Sequence, residues 1–459
     1  MTDSGGYDIV ILGGGSGGYA CALRAAELGK RVALIEQDKV GGTCLHRGCI
    51  PTKALLHAAE VADLANEGPA LGVRSSFDGI DMTAVNAYKD KVVTRLWKGL
   101  TGLVASRKIE VIEGSGRLIS PTSVQVGEAI ISGEHVVLAT GSETRSLPGL
   151  AIDGRRVITS EHALRLDHVP SSVVVLGGGV IGVEFASVWR SFGAEVTIVE
   201  MLPHLLPTEE ESSSKLLERA FRRRGIGFKL GTRFSSVKDT GSGVTVTLEG
   251  GATIDAELML VAVGRGPVSA GLGYDEVGVA MDRGFVLVDE YCKTNIPTVS
   301  AVGDLRPGLQ LAHVGFAEGI MVAERLAGLP VVPVDYDGVP RITYSDPEVA
   351  SVGITSATAA ARGLEFTEFT YDLAGNGRSQ ILQTAGAAKV ITTAGGGPVL
   401  GVHLVGARVG DLIAEAQLIV NWEAVPADVA QLIHPHPTQS EAIGEAFLAL
   451  AGKPLHNHG

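Results

Sequence analysis

Two stretches of this chain follow one plan, and that plan limits the fold more than any other feature. Residues 7–36 read YDIVILGGGSGGYACALRAAELGKRVALIE, and residues 171–200 read SSVVVLGGGVIGVEFASVWRSFGAEVTIVE. Each holds an apolar run, a glycine turn, a helical stretch and a second apolar run that closes on a glutamate, Glu36 or Glu200. In both copies the first glycine precedes that glutamate by 23 residues. Short apolar runs rich in Val and Ile and bounded by glycine predict buried strands. Two such strands joined through a helix lie parallel, so the chain is expected to contain two strand–helix–strand units.

The turn between strand and helix carries GxGxxG in both copies. Alone the pattern is weak, but here strand, turn, helix, strand and terminal acid follow in order, twice, which is the dinucleotide-binding context. Gly13 and Gly177 permit the tight turn, and Gly15 and Gly179 let the backbone approach a pyrophosphate held at a helix N-terminus. Gly18 and Gly182 allow close packing of helix on strand, and Glu36 and Glu200 can accept hydrogen bonds from a ribose diol. Two α/β units without ligands would need none of this, so two dinucleotides are expected. After Glu200 the chain reads MLPHLLP, without arginine. A 2′-phosphate would be repelled by Glu200 and find no cation there, which favours NAD over NADP in the second unit.

Other segments arrange themselves around these units. HVVLATGSETRSLPG (135–149) and MLVAVGRGPV (259–268) each read as a strand followed by a glycine turn, so the second unit is expected to be inserted between them. TNIPTVSAVGDL (294–305) adds a strand ending at Gly303-Asp304, and VPVDYDGVP (332–340) marks a boundary. Beyond it, AKVITT, VLGVHLVG and GDLIAEAQLIVNW alternate strand and helix, as in an α+β domain. A length of 459 residues with 45% hydrophobic side chains accommodates several cores of this kind. The formal charge of −13 argues against nucleic acid or an anionic membrane as principal partner. No apolar run reaches the ~20 residues that span a bilayer, and only a few polar residues precede the first strand, so no signal peptide is expected.

Only four cysteines are present, and Cys44 and Cys49 stand five apart in GGTCLHRGCIP. They could be core thiols, a metal half-site, a staple or a redox couple. Zinc needs four ligands and this spacing supplies two, with Cys21 and Cys292 remote. A staple would close a tiny loop and stabilise little. Pro51 suits the first turn of a helix running through KALLHAAEVADL, which puts Cys49 at a helix N-terminus where a thiolate is stabilised. With a dinucleotide unit immediately before it, the pair reads best as a redox dithiol in a reducing, cytoplasmic compartment.

GGGSGG followed by GGTCLHRGCIPTKALLH resembles the FAD-dependent pyridine nucleotide-disulfide oxidoreductases, and the resemblance runs in order to the C-terminal HPHPTQSE. It implies that Gly13, Gly15, Gly18, Glu36, Gly116, Thr140 and Gly141 hold FAD, with Asp304 on the ribityl chain and the amides of Ala312 and His313 facing the flavin. It implies a Lys53–Glu184 ion pair near the flavin, NAD bound by Gly177, Gly179, Gly182, Glu184, Glu200 and Gly264, and Val263-Gly264-Arg265 as the motif where the NAD domain rejoins the FAD domain. Cys44 would exchange with substrate and Cys49 would face the flavin. His436, oriented by Glu441, would be the base, with His436-Pro437 cis. His434, His456 and His458 read as structural or solvent-exposed histidines. The triplet Leu311-Ala312-His313 favours the lipoamide-oxidising branch. His46 and Arg47 depart from the asparagine and small apolar residue common between the cysteines, and Val268 from the usual asparagine.

The expected architecture is α/β: two Rossmann-like dinucleotide-binding domains, one inserted in the other, plus a C-terminal α+β dimerisation domain. The boundaries are 1–147 for FAD, 148–269 for NAD, 270–337 for a central domain completing the FAD site, and 338–459 for the interface domain. The implied activity is oxidation of dihydrolipoamide, carried on the acyltransferase of a 2-oxoacid dehydrogenase complex, by a homodimer that passes a hydride to NAD+. Reduction of another small disulfide, or a flavin-bearing scaffold role, are the alternatives. The intact Cys44, Cys49, His436 and Glu441 set is needless for a scaffold.

Overall fold

The computed structural model describes residues 6–456; His458 lies outside the described residues. The chain divides into two units, Met1–Ala54, Ala84–Arg145 and Gly264–Val334 against Leu55–Thr83, Ser146–Val263 and Asp335–Gly459.

In the first unit the strands Tyr7–Leu12, Val32–Glu36, Glu110–Glu113 and Val299–Ala301 run parallel, with Ala129–Leu138 between Tyr7–Leu12 and Val299–Ala301. The register places Ile9 opposite Val32 and His135, and Ile11 opposite Leu34 and Val137. The same long strand continues into an antiparallel meander with Ser123–Val126 and Gly116–Ser120. Both faces of the parallel part are covered, which is why its strands are apolar throughout rather than alternating. One face carries the helices Ser16–Glu27 and Ala312–Leu326 over a core of Ile9, Ile11, Cys21, Ala25, Leu34 and Val322. Those helices touch backbone to backbone. A Cβ on Gly319 would run into the Gly17 carbonyl oxygen and stand 2.9 Å from the Cys21 amide.

The second unit holds a parallel sheet in the order Gly227–Lys229, Glu195–Val199, Ser172–Leu176, Leu258–Val261 and Val157–Ile158, with a small antiparallel sheet of Phe234–Asp239, Val244–Leu248 and Thr253–Ala256. Its C-terminal part is a five-stranded antiparallel sheet, Arg341–Thr343, Glu348–Gly353, Val399–Gly406, Ala387–Thr393 and Phe366–Asp372. The helices Val409–Asn421 and Glu441–Leu450 close its core over Val352, Val390, Leu404, Ile413 and Phe447. Lys389 and Glu210, both buried, join the two parts through an ion pair of 2.9 Å. Among the described residues no helix is long and apolar enough to cross a membrane.

Candidate active site

The duplication seen in the sequence persists at the level of single hydrogen bonds. Gly13 N donates to Ile35 O and Gly177 N to Val199 O, both at 2.9 Å. Ala139 N donates to Leu12 O and Ala262 N to Leu176 O, both at 2.8 Å. Gly13 and Gly177 sit at φ 107° and 108°, and a Cβ on either would collide with the carbonyl oxygen of Ala139 or Ala262. That backbone region and that clearance leave only glycine. On Gly18 or Gly182 a Cβ would strike the carbonyl oxygen of Gly13 or Gly177.

The strand-end acids fold back over their own glycine turns. Glu36 Oε2 accepts from Gly14 N at 2.7 Å and Oε1 from Asp38 N at 2.9 Å. Glu200, buried, accepts from Gly178 N at 2.6 Å and from Leu202 N at 2.8 Å. Each carboxylate has about four lone-pair sites, so both keep capacity for a diol. Neither Ser16–Glu27 nor Val180–Ser191 has a side-chain cap, so the first amides of each helix are left for a ligand or solvent. A Cβ on Gly179 would meet nothing within 4 Å, and on Gly15 only Gly42 Cα at 3.9 Å, so the space before each helix is open. The turn at Gly42 (φ 59°) lies against Gly15, and Gly41 N donates to Gly14 O at 2.8 Å. An anionic pyrophosphate fits these two cradles in charge and in clearance.

Immediately after that turn, Gly42–Arg47 forms a short helix and Cys49–Glu67 a long one, with Cys49 its first residue and Lys53 one turn on. Cys44 and Cys49 are reduced thiols, hydrogen-bonded to each other. The bond to Cys49 and then burial push the Cys44 thiol up, against the pull of the Lys53 ammonium. Cys49, as the first residue of its helix, has the helix N-terminus to stabilise a thiolate. Between them, His46 Nε2 lies 3.0 Å from Val40 O, and its ring packs edge-on against Trp97. Arg47 pairs with Asp38 at 3.3 Å. Tyr19, which the sequence reading passed over, is also here: burial, then the Cys44 and Cys49 charges, push its hydroxyl up to about 12.

The other expected cofactor residues fall in distinct surroundings. Thr140 Oγ1 donates to Val268 O at 2.6 Å, and Val268 N returns to Gly141 O at 3.0 Å. Gly116 is packed among Leu12, Ile35 and Val124. Ala312 and His313 open the helix Ala312–Leu326. Asp304 lies in a 3-10 turn, its Oδ2 accepting from Ser142 Oγ at 2.6 Å. Gly264 (φ 104°) accepts from Arg145 N at 3.0 Å. Glu184 is buried and accepts from Tyr344 N at 3.0 Å.

In the C-terminal part His436 Nδ1 lies 2.8 Å from Glu441 Oε1, and Thr438 N donates to Glu441 Oε2 at 2.7 Å. A carboxylate on Nδ1 fixes the proton there and leaves Nε2 its lone pair, the arrangement of an oriented base. Burial pushes the Glu441 carboxyl up, but the Thr438 amide and the two rings, His436 and His434, outweigh it and hold it below the usual range. The His436 ring is 79% exposed, and the His436-Pro437 bond is cis. His434 and His456 pair with Glu415 and Glu445, each at 2.7 Å.

The family pattern described as pyridine nucleotide-disulphide oxidoreductase matches residues 7–319, and its dimerisation domain matches residues 339–447. The chain belongs to this family. Over 469 residues it is 40% identical to the dihydrolipoyl dehydrogenase of Bacillus subtilis (strain 168), covering 98% of this chain and 99% of that one. It is 40% identical over 463 residues to the mitochondrial dihydrolipoyl dehydrogenase of Pisum sativum, covering 98% and 92%. The crystal structure of LpdA from Mycobacterium tuberculosis superposes with a TM-score of 0.90 at 29% identity, over 96% of this chain and 99% of that one. As a family member the chain pairs pyridine-nucleotide chemistry with a dithiol, and the two cradles and the Cys44–Cys49 pair are the parts such chemistry requires. The dimerisation pattern spans the antiparallel C-terminal sheet together with His436, in the loop before the last helix, and Glu441, the first residue of that helix.

Proposed function

We propose that this protein is a dihydrolipoyl dehydrogenase that oxidises dihydrolipoamide with Cys44 and Cys49, holds FAD as resident cofactor and uses NAD+ as terminal acceptor. The observation that carries the reading is the hydrogen-bonded thiol pair at the start of Cys49–Glu67, in a chain 40% identical end to end to dihydrolipoyl dehydrogenases. Bound FAD supplies a two-electron acceptor able to pass a hydride to a nicotinamide. The residues of the chain do the rest. With Cys44 and Cys49 oxidised to a disulfide, His436 Nε2 takes the proton of one substrate thiol, and that sulfur attacks Cys44 Sγ. The Cys44–Cys49 bond breaks and Cys49 leaves as a thiolate at its helix N-terminus. The second substrate thiol then attacks the first sulfur and expels Cys44, its proton passing to the departing Cys44 while the first proton remains on His436. Lipoamide leaves as a cyclic disulfide, and two electrons remain on the cysteines. Lys53, one turn into the helix, stabilises negative charge on the pair.

The substrate's carrier is a lipoyl-bearing acyltransferase of a 2-oxoacid dehydrogenase complex, in the cytoplasm, and the working form is a homodimer in which His436 of a second copy serves Cys44. Pure protein mixed with NAD+ and dihydrolipoamide is expected to generate NADH absorbance; its absence sinks the proposal. Chains carrying Cys44→Ser and His436→Ala should each be inactive as homodimers, and co-expressed heterodimers should regain one of two sites. Inactive heterodimers would place the base in its own chain.

A further inference from the structure

The loop Gly303-Asp304 is held from two sides. On one side stands Glu318, in the middle of the buried stripe of Ala312–Leu326 and fully buried itself. Its Oε2 accepts from Gly303 N at 2.7 Å, and its Oε1 pairs with Arg306 Nη1 at 2.8 Å. Gly303 is left-handed, φ 72°, and one carboxylate pins both ends of a tight turn whose middle residues are Asp304 and Leu305. A buried carboxylate is a costly way to hold a loop, since an apolar contact of the same volume would stabilise it as well.

On the other side stands Ser142. Arg265 Nε donates to Ser142 Oγ at 2.8 Å, and Arg265 Nη2 donates to Ser142 O at 2.6 Å. A hydroxyl has one proton to give, and with the guanidinium occupying a lone pair the Ser142 proton is directed to Asp304 Oδ2. One oxygen of the Asp304 carboxylate is thus fixed by the protein itself. Ser142 and Arg265 come from the paired strands Ser142–Thr144 and Arg265–Pro267, at which the chain departs for the inserted nucleotide unit and returns from it.

We infer that Ser142 and Glu318 are positioning residues that fix the Asp304 carboxylate, in rotation and in place, against a hydroxyl of the ribityl chain of FAD. This rests on the function proposed above. Ser142 acts only through Asp304, so its contribution vanishes when Asp304 has no carboxylate.

A double-mutant cycle on the full-length holoenzyme reads this, with the FAD dissociation constant obtained from flavin fluorescence released on dilution. Ser142→Ala is expected to weaken FAD about tenfold, the size of one hydrogen bond to a charged group. Ser142→Thr, which keeps the hydroxyl, should restore it. In an Asp304→Ala background Ser142→Ala should change the constant by less than about twofold. Glu318→Gln is the second probe and should weaken FAD and lower the sharpness of the flavin absorption shoulder, both less so with Asp304→Ala. Equal effects of Ser142→Ala with and without Asp304 would overturn the inference while leaving the proposed function intact. A wild-type protein that binds no FAD would overturn both.

Discussion

Glu200→Gln is expected to separate two roles of one buried carboxylate, holding its turn and opposing a 2′-phosphate. In the wild type its two oxygens accept from Gly178 N and Leu202 N at 2.6 and 2.8 Å, and the side chain is 7% exposed. Glutamine is isosteric but carries one acceptor oxygen, so one of the two amides, the buried one of Gly178 or the part-buried one of Leu202, is left facing an NH2 group. Leaving a buried donor unmet costs about 1–3 kcal/mol. The substitution also removes the charge that opposes a 2′-phosphate. Two unit charges about 5 Å apart at an effective dielectric of about 20 interact by ~3 kcal/mol, and partial solvation of the cleft brings this to about 1.5–3 kcal/mol. At 1.4 kcal/mol per decade, the preference for NADH over NADPH should shrink about 10- to 100-fold. The assay is kcat/KM for each nucleotide with lipoamide, together with guanidinium unfolding. A ratio within about threefold of wild type would refute the electrostatic reasoning, and an unchanged unfolding midpoint would refute the hydrogen-bond reasoning.

Gly319→Ala should cost about 1–3 kcal/mol in denaturant unfolding, because a methyl group there meets backbone atoms of Gly17 and Cys21 that cannot turn aside; an unshifted midpoint would contradict the close approach of the two helices. Glu415→Gln tests the pair with His434, whose ring the hydrogen bond to Glu415 holds above its ordinary value despite burial. A raised folded-state value means that the pair stabilises fully below about pH 6.5 and loses its effect as the pH rises through that raised value. The gap in melting temperature between wild type and Glu415→Gln should therefore be wider at about pH 6 than at about pH 9, corresponding to ~1 kcal/mol or less. A gap independent of pH would mean that the ring is neutral throughout.

What the sequence determined alone was whatever a short stretch must do by itself. A strand, a left-handed glycine, a helix and an acid 23 residues on are all local, so both strand–helix–strand units were legible, as was Cys49 at a helix N-terminus behind Pro51. The strands Ala387–Thr393 and Val399–Gly406 were equally plain from their apolar runs. The second partner of each glycine turn was not. Gly41 N reaches Gly14 O and Leu206 N reaches Gly178 O, both at 2.8 Å, from segments with no likeness to each other. Tyr19 joined the cysteines for the same reason, its helix being brought there by the turn at Gly42. Glu318 did leave a trace, an acid on the apolar stripe of a helix, the kind of position that needs a buried partner. Its partners, Gly303 and Arg306, lie 15 and 12 residues back across a turn, and those of Ser142 lie 123 and 162 residues away. Hydrogen-bond direction and burial depend on which chains of atoms meet, and distant segments meet only when the sheet is assembled. The sequence therefore determined the cradles and the thiols, and only the tertiary structure decided what holds Asp304 in place.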